Sequence, residues 1–353
     1  MNYSINGNVV TIDRDAILIE ISIDNIKFID YLGEGANSIV FRGFDELLER
    51  DIAIKIWISK LSDTRDKYIQ ALREAKKIAS LKHHNIVDVY HANSHHQSTI
   101  SLEMELIKGT TLREYLKSNK ISMRFLNKIW HQIFDAMSYS YQKGIYHGDL
   151  HDRNILIIGD SDIKILDFGT SLFSSRISNS ENRDSKLLLK LFEKIFGKDH
   201  SLLIKNKSLL IGKPEMVLNA TKSVLFAFER IALLKNYFDN NSEHLASSAA
   251  LDISGCISEC PFLDVSVIIS IIREQMVSDH YVNVFLNGCI NMLKLVKSHN
   301  PHDGVVGYFC DESSIDSLVE AVNILLIEVM CLHNKMYEKD KANYLSNTHN
   351  LLA

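Results

Sequence analysis

The sequence predicts an α+β protein whose N-terminal part is rich in strands and whose remainder is helical. Short runs of β-branched and aromatic residues, bounded by turn residues, recur before about residue 57. Apolar residues recur at helical spacing in residues 67–82 and 125–142. Directly after the second of these helices, carboxylate and carboxamide side chains cluster in residues 147–154. The strands and helices predict the fold class, and the polar cluster marks the region to examine for function.

The composition excludes several classes of protein. Hydrophobic residues make up 46% and charged residues 24% of the chain, as in globular proteins. The net charge of −5 gives no electrostatic reason to expect nucleic acid or an anionic membrane as the main partner. No apolar run is long enough for a membrane span, and the N-terminus does not resemble a signal peptide. The five cysteines predict buried thiols rather than a disulfide framework. We therefore expect a cytoplasmic protein.

The first half of the chain contains two patterns that suit phosphate binding. After a β appendage predicted for residues 1–26, residues 29–43 form two strand-like halves around a turn with Gly33 and Gly35. Small residues at such a turn let backbone N–H groups approach phosphates. Lys55 follows on an apolar strand, and Glu74 borders the apolar stripe of the 67–82 helix. Either the two side chains form an ion pair, or each simply reaches water.

The polar cluster contains the groups that phosphoryl transfer requires. Asp149 and Asn154 lie five positions apart, and Asp167 follows the apolar strand Ile163–Leu166 and precedes Phe168-Gly169. Transfer of a phosphoryl group from ATP needs a carboxylate to accept the proton of the attacking hydroxyl and oxygen ligands for Mg²⁺.

These motifs resemble the catalytic loop and the Asp-Phe-Gly motif of the protein-kinase-like superfamily. The resemblance implies a bilobal fold with an N-lobe and hinge at 27–108 and a helical C-lobe with a C-terminal extension at 109–353. It also implies ATP and Mg²⁺ as cofactors, Asp149 as the base, and Asn154 and Asp167 as Mg²⁺ ligands. Lys55, paired with Glu74, would hold the α- and β-phosphates.

The resemblance further implies a set of nucleotide-binding residues. Val40 would lie against adenine, Met104 would be the gatekeeper, and backbone groups of Glu105 and Ile107 would face the purine edge. The full set is Gly33, Glu34, Gly35, Ala36, Asn37, Ser38, Val40, Ala53, Lys55, Met104, Glu105 and Ile107. Ser38 departs from the family pattern, since glycine is usual there.

The catalytic loop also departs from the pattern of typical Ser/Thr kinases. Gly148 stands where many of them carry Arg, and His151 stands where they carry the Lys that contacts the γ-phosphate. The sequence His-Gly-Asp-Leu-His resembles bacterial kinase-like families, which include aminoglycoside phosphotransferases and atypical protein kinases. His151 either partly replaces that Lys or holds the loop by hydrogen bonds. Asp152 and Arg153 are interpreted as a local ion pair.

The chain beyond Gly169 is less informative. Residues 170–183 are short, polar and Ser-rich, and Asp184 opens an apolar helix that resembles the large-lobe helix whose first Asp braces the catalytic loop. The alternative is a long activation segment that ends at Lys213-Pro214-Glu215. Further helices are predicted at 223–237, 265–277, 281–296 and 315–337.

The leading hypothesis is a protein kinase that phosphorylates Ser or Thr. The alternatives are a kinase for a small hydroxyl-bearing molecule and a pseudokinase that acts as a binding scaffold.

Overall fold

The structure is a computed structural model. It describes residues 2–14, 17–35, 38–57, 75–76, 78–95, 99–118, 121–168 and 180–240, with isolated positions between 245 and 272. The chain divides into two compact units, of which the first holds residues 1–191 and 211–215 and the second holds 192–210 and the residues from 216 onward. Among the described helices, none combines the length and the apolar character that a bilayer crossing requires.

The chain begins with a three-stranded antiparallel meander, as the sequence predicts for its N-terminal appendage. Its strands are β1 (Asn2–Asn6), β2 (Val9–Arg14) and β3 (Ile17–Ser22). Gly7, in the turn between the first two strands, has a φ of +62°, a conformation that glycine adopts without strain. Its carbonyl accepts a hydrogen bond from the Phe28 N–H at 2.9 Å, which ties the meander to the strand that follows.

A five-stranded antiparallel sheet follows in the order β4-β5-β6-β8-β7. Its strands are β4 (Ile26–Gly35), β5 (Ser38–Asp45), β6 (Arg50–Trp57), β7 (Val89–Ser94) and β8 (Ile100–Glu105). A smaller sheet joins β9 (Thr110–Thr111), β10 (Ile155–Ile158) and β11 (Asp162–Ile165). The strand-rich first part of the predicted kinase-like fold is therefore confirmed.

The meander and the five-stranded sheet share one hydrophobic core. Side chains alternate between the two faces of a strand, so Ile52, Ile54 and Ile56 lie on the face of β6 opposite to Ala53 and Lys55. The core contains Val10, Ile12, Ile19, Ile21, Ile23, Ile26, Phe28, Ile39, Phe41, Ile52, Ile54 and Ile56, all of them buried. The meander thus covers the outer face of the sheet and leaves the Lys55 face to the rest of the first unit.

The helices of the first unit place the polar cluster. After α1 (Leu112–Ser118), α2 spans Met123–Gln142 and begins at an N-cap, Ser122, whose hydroxyl accepts from the Phe125 N–H at 3.2 Å. Gly144 ends the helix with a φ of +67°. The helix predicted at 125–142 is confirmed and starts two residues earlier. It leads directly into residues 147–154.

The remaining described helices are α3 (Ser180–Phe196), α4 (Lys198–Leu202) and α5 (Pro214–Asp239), with a 3₁₀ turn at Lys207–Leu210. Helix α5 starts nine residues before the predicted Ser223, because Pro214 suits a first helical position. Most of the predicted helix at 67–82 and the helices predicted at 281–296 and 315–337 lie outside the described residues. Of 265–277, the structure describes only residues 267–268 and 271–272.

Candidate active site

One face of the five-stranded sheet carries four of the predicted nucleotide-binding side chains. Directly paired residues in antiparallel strands point to the same face. Val40 is paired with Lys55, and Ala53 is paired with Met104. Because Ala53 and Lys55 are two positions apart on β6, all four share one face. The four side chains therefore lie on one face of the sheet, and their contacts with a nucleotide stay a prediction.

The predicted Gly-rich turn lies between β4 and β5. Gly35 is paired with Ser38 at the end of this hairpin, while Ala36 and Asn37 lie outside the described residues. Among the described residues, a Cβ added at Gly33 would meet no atom within 4 Å, whereas one at Gly35 would lie 3.3 Å from the Ser38 hydroxyl. A side chain would therefore crowd Ser38 at Gly35, and the space beside Gly33 holds no described atom.

Lys55 and Asp167 form a short ion pair across 112 positions of the chain. The Lys55 Nζ lies 2.8 Å from the Asp167 Oδ1, and Lys55 is 3% exposed. A buried ammonium group is unfavourable unless it is paired, and Asp167 supplies the negative charge. The predicted partner Glu74 lies outside the described residues, so the Lys55–Glu74 pair stays a prediction. Asp167 has a φ of +60°, a backbone conformation that is unfavourable for most residues with a Cβ.

His147 connects the catalytic loop to the residues around Asp167. Its Nδ1 accepts from the Asp149 N–H at 3.2 Å, and its Nε2 donates to the Leu166 carbonyl at 2.8 Å. Its ring packs on Phe168, with centroids 4.7 Å apart. The side chain is fully buried, and this burial lowers the pKa of His147. The two hydrogen bonds require the neutral tautomer with the proton on Nε2.

The carboxylate of Asp184 braces the catalytic loop from below. Its oxygens accept from the His147 and Gly148 N–H groups at 2.7 Å each and from the Tyr141 hydroxyl at 3.2 Å. Burial raises the pKa of Asp184, whereas these hydrogen bonds favour its ionised form. The expected bracing role of Asp184 is confirmed, which favours the short segment after Gly169 over one that ends at Pro214.

Helix α3 makes two further contacts from its first turn. Glu181 accepts from the Tyr146 hydroxyl at 2.6 Å, and burial together with this bond raises the pKa of Tyr146 to about 12. The Arg183 Nη2 lies 3.5 Å from the Asp149 Oδ1. Glu181, Arg183 and Asp184 thus contact the consecutive residues 146–149. Sequence reasoning missed the contact of Arg183, although its position beside Asp184 could have indicated it.

Asp149 lies between two basic side chains. The His151 Nε2 lies 3.6 Å from its Oδ2, opposite the Arg183 contact. The interaction with His151 lowers the pKa of Asp149, Arg183 lowers it further, and partial burial opposes both. The same interaction raises the pKa of His151. His151 also accepts the Arg153 N–H through Nδ1 at 3.2 Å, so it holds the loop by a hydrogen bond.

Asn154 closes the catalytic loop onto the segment before Asp167. Its Nδ2 donates to the Asp149 carbonyl at 3.0 Å, and its own carbonyl accepts from the Leu166 N–H at 2.8 Å. With the amide nitrogen engaged, the carboxamide oxygen is the side-chain atom that can ligate a cation. The backbone bond to Leu166 places Asn154 beside the residue that precedes Asp167.

The interpretation of Asp152 and Arg153 as a local ion pair is wrong. Asp152 is 1% exposed, and its carboxylate pairs with Arg113 on α1, with an Nη2–Oδ1 distance of 2.9 Å. The Arg113 N–H also donates to the Asp152 carbonyl at 3.0 Å. Arg113 contacts both carboxylate oxygens of Asp152, so the partner of this buried carboxylate comes from α1 and not from the adjacent residue.

The predicted hinge begins at Glu105, the last residue of β8, and the side chain of Glu105 has a structural partner. The Glu105 Oε2 accepts from the Lys164 Nζ at 2.6 Å, and Lys164 also donates to the Ile86 carbonyl at 3.3 Å. Ile107 lies in the irregular segment 106–109. The side chain of Glu105 therefore holds the strand end, while the predicted purine contacts of Glu105 and Ile107 involve backbone groups and stay predictions.

Comparisons with known proteins agree with this geometry. Residues 26–187 match the family model of the protein kinase domain. The chain is 32% identical over 154 residues to the serine/threonine-protein kinase PrkC of Bacillus subtilis. The aligned region covers 43% of this chain and 24% of PrkC. It is 30% identical over 169 residues to the serine/threonine-protein kinase PknB of Mycolicibacterium smegmatis. This aligned region covers 47% of this chain and 27% of PknB. A probable serine/threonine-protein kinase of Clostridium acetobutylicum is 29% identical over 150 residues, which make up 42% of this chain and 23% of that kinase.

Residues 26–187 of the chain therefore resemble a protein kinase domain. The similarity spans about a quarter of the length of these curated relatives.

Proposed function

We propose that this protein is a Ser/Thr protein kinase that uses Mg²⁺ and ATP. The observation that carries the proposal is that the Lys55–Asp167 pair lies next to the catalytic loop in the fold. Asn154 donates to the backbone carbonyl of Asp149, and the Asn154 carbonyl accepts from Leu166, the residue before Asp167. The names of the similar relatives support a protein hydroxyl as the acceptor.

The residues present fit a Mg²⁺–nucleotide complex. The Asn154 carboxamide and the Asp167 carboxylate offer the hard oxygen ligands that Mg²⁺ prefers, and Mg²⁺ usually takes only one or two protein ligands beside phosphate and water. When bound, Mg²⁺ neutralises charge on the phosphates. Lys55 would hold the α- and β-phosphates, and Val40, Ala53 and Met104 would border adenine on the face that they share with Lys55.

Asp149 acts as the base in this proposal. The attacking hydroxyl of Ser or Thr gives its proton to the Asp149 carboxylate as its oxygen bonds to the γ-phosphorus, the bond from that phosphorus to the β,γ-bridging oxygen breaks, and ADP leaves. The neutral His147 orients Asp149 through the backbone N–H, and Asp184 fixes the preceding two amides. Phosphoryl transfer depends mainly on such positioning and on charge stabilisation.

The test is incubation of the purified chain with labelled ATP and Mg²⁺, followed by intact mass and phosphoamino-acid analysis. Phosphate on Ser or Thr of this chain or of an added protein supports the proposal. Transfer only to an added small hydroxyl compound would instead identify a small-molecule kinase. Nucleotide binding without any transfer would identify a scaffold. An Asp149→Asn preparation controls for contaminating kinases.

A further inference from the structure

Arg183 makes only a loose contact with the catalytic loop. Among the described residues, Lys55, Arg113 and Lys164 form ion pairs with N···O distances between 2.6 and 2.9 Å. The Arg183 contact with Asp149 is longer, at 3.5 Å, and the two side chains are 47% and 37% exposed. An ion pair of this length and exposure contributes little to stability. Its position therefore needs another explanation.

The position of Arg183 is fixed by its neighbours in the first turn of α3. Glu181 accepts from Tyr146, two residues before Arg183, and Asp184 accepts from the loop backbone one residue after it. These bonds hold the helix end against residues 146–148. Arg183 lies between them and reaches Asp149, the next residue of the loop. The fold thus places a guanidinium group beside the proposed base.

A cation beside a base does not help it to accept a proton. Positive charge stabilises the ionised carboxylate and so weakens it as a base. At neutral pH a carboxylate with an ordinary partner is already ionised, so Asp149 gains nothing from a second cation beyond His151. The useful target of the Arg183 charge must be another anion that comes close to Asp149.

We propose that Arg183 binds the phosphoryl group while it moves from ATP to the acceptor. The inference rests on the proposed phosphoryl transfer. In that step the acceptor oxygen forms a bond to the γ-phosphorus, the bond to the β,γ-bridging oxygen breaks, and ADP leaves with that electron pair. The acceptor proton goes to Asp149. The acceptor oxygen must lie within hydrogen-bond reach of Asp149, so the phosphoryl oxygens pass close to Arg183.

The chemistry of the guanidinium group suits this role. It presents N–H donors in a planar fork that matches phosphate oxygens, and it stays charged at all working pH values. In the contact with Asp149, the Nη2 of Arg183 lies 3.5 Å from Oδ1, beyond the length of a strong charged hydrogen bond. His151, at the position where the resemblance expects Lys, is held through Nδ1 by the Arg153 N–H. Arg183 therefore supplies a permanent charge that an imidazole does not.

The first test measures binding without any acceptor. Calorimetry compares Mg²⁺–ADP alone with Mg²⁺–ADP plus tetrafluoroaluminate, which mimics the phosphoryl group in transfer. The full-length protein is compared with Arg183→Ala, Arg183→Lys and, as a matched control, Lys186→Ala, which changes an exposed cation on the same helix. Interactions made only with the transferring group should affect only the fluoroaluminate complex.

We expect Arg183→Ala to leave Mg²⁺–ADP affinity within about twofold and to reduce the tightening by tetrafluoroaluminate at least about tenfold, as for loss of a charged hydrogen bond. Arg183→Lys should recover part of this loss, and Lys186→Ala should behave as the unsubstituted protein. Equal tightening in Arg183→Ala overturns the assignment. So does the absence of tightening in the unsubstituted protein.

The second test separates this inference from the proposed function. Labelled ATP turnover should fall in Arg183→Ala with an unchanged KM for ATP. A rise in turnover would show that Arg183 instead blocks Asp149, and would overturn the inference. If the unsubstituted protein transfers no phosphate to Ser or Thr but shows the Arg183-dependent fluoroaluminate effect, the proposed acceptor is wrong and the role of Arg183 stands.

Discussion

Replacing Asp184 by Asn should loosen the catalytic loop at two identifiable amides. The Asp184 carboxylate accepts two backbone N–H bonds at 2.7 Å and the Tyr141 hydroxyl at 3.2 Å, and its side chain is fully buried. Asparagine keeps one acceptor oxygen but puts an NH₂ group where the second oxygen stood. One backbone N–H then faces another donor inside the protein.

The size of the effect follows from these contacts. A hydrogen bond to a charged group is worth about 1.5–3 kcal/mol, and an unsatisfied buried donor costs about 1–3 kcal/mol. We expect Asp184→Asn to reduce the local stability of the loop by about 3–5 kcal/mol. Tyr141→Phe removes only the longest of the three bonds and should cost about 1 kcal/mol. In the double variant, the Tyr141 change should add less than it does alone, because both changes affect one network.

Hydrogen exchange measures the loop directly. The His147 and Gly148 amides should exchange more than about 100-fold faster in Asp184→Asn, since every 1.4 kcal/mol is tenfold in an equilibrium constant. Tyr141→Phe is the matched control, because it removes a hydrogen bond to the same carboxylate and leaves both backbone N–H bonds in place. Unchanged exchange at both amides in Asp184→Asn would refute the bracing role of the carboxylate.

Four further predictions concern the other polar contacts. Asp149→Asn should lower kcat by about 10²–10⁴-fold and keep Mg²⁺–ATP affinity in calorimetry; wild-type turnover would show that it is not the base. Asp167→Ala should weaken nucleotide binding in the presence of Mg²⁺ more than in its absence, and equal losses would contradict its role as a ligand. Arg113→Ala removes the guanidinium group that pairs with the buried Asp152 carboxylate and should lower the urea midpoint of unfolding, whereas an unchanged midpoint would show that the pair is not structural. Because burial lowers the pKa of His147, protonation favours the unfolded state, so the free energy of unfolding should fall as pH drops below about 6.5; a His147→Gln variant should show a weaker fall.

The sequence predicted the parts of the site that depend on short motifs. The loop from His147 to Asn154 and the strand before Asp167 carry their chemistry within a few residues, and the structure brings them together. The strand position of Lys55 fixes its face by alternation alone. The bracing Asp184 was also predicted, because the apolar helix that contains it resembles the large-lobe helix of the kinase-like superfamily.

Contacts between residues distant in sequence were not predictable in the same way. The pair between Arg113 and Asp152 joins α1 to the loop, and no local pattern distinguishes Arg113 from other surface cations. The same holds for Lys164 and Glu105, which are 59 positions apart. The sequence interpretation paired Asp152 with the adjacent opposite charge, Arg153. The buried Asp152 carboxylate instead pairs with Arg113.

The packing of the meander on the outer face of the sheet could have been inferred in part from the sequence. In β6, the alternating residues Ile52, Ile54 and Ile56 make one face of the strand fully apolar, which indicates that this face is covered. The meander was predicted as an appendage without chemistry, and its place in the common core was not inferred.

This cover has a practical consequence for the design of expression clones. The match to the family model starts at residue 26, after the meander has ended. In a fragment that starts at residue 26, Ile39, Phe41 and Ile54 would lose the cover of the meander and form an apolar surface exposed to water. Such surfaces promote aggregation. Insoluble material from that fragment would therefore reflect the missing N-terminal strands, and a clone that keeps residue 2 onward is the proper starting point for crystallisation or for assays.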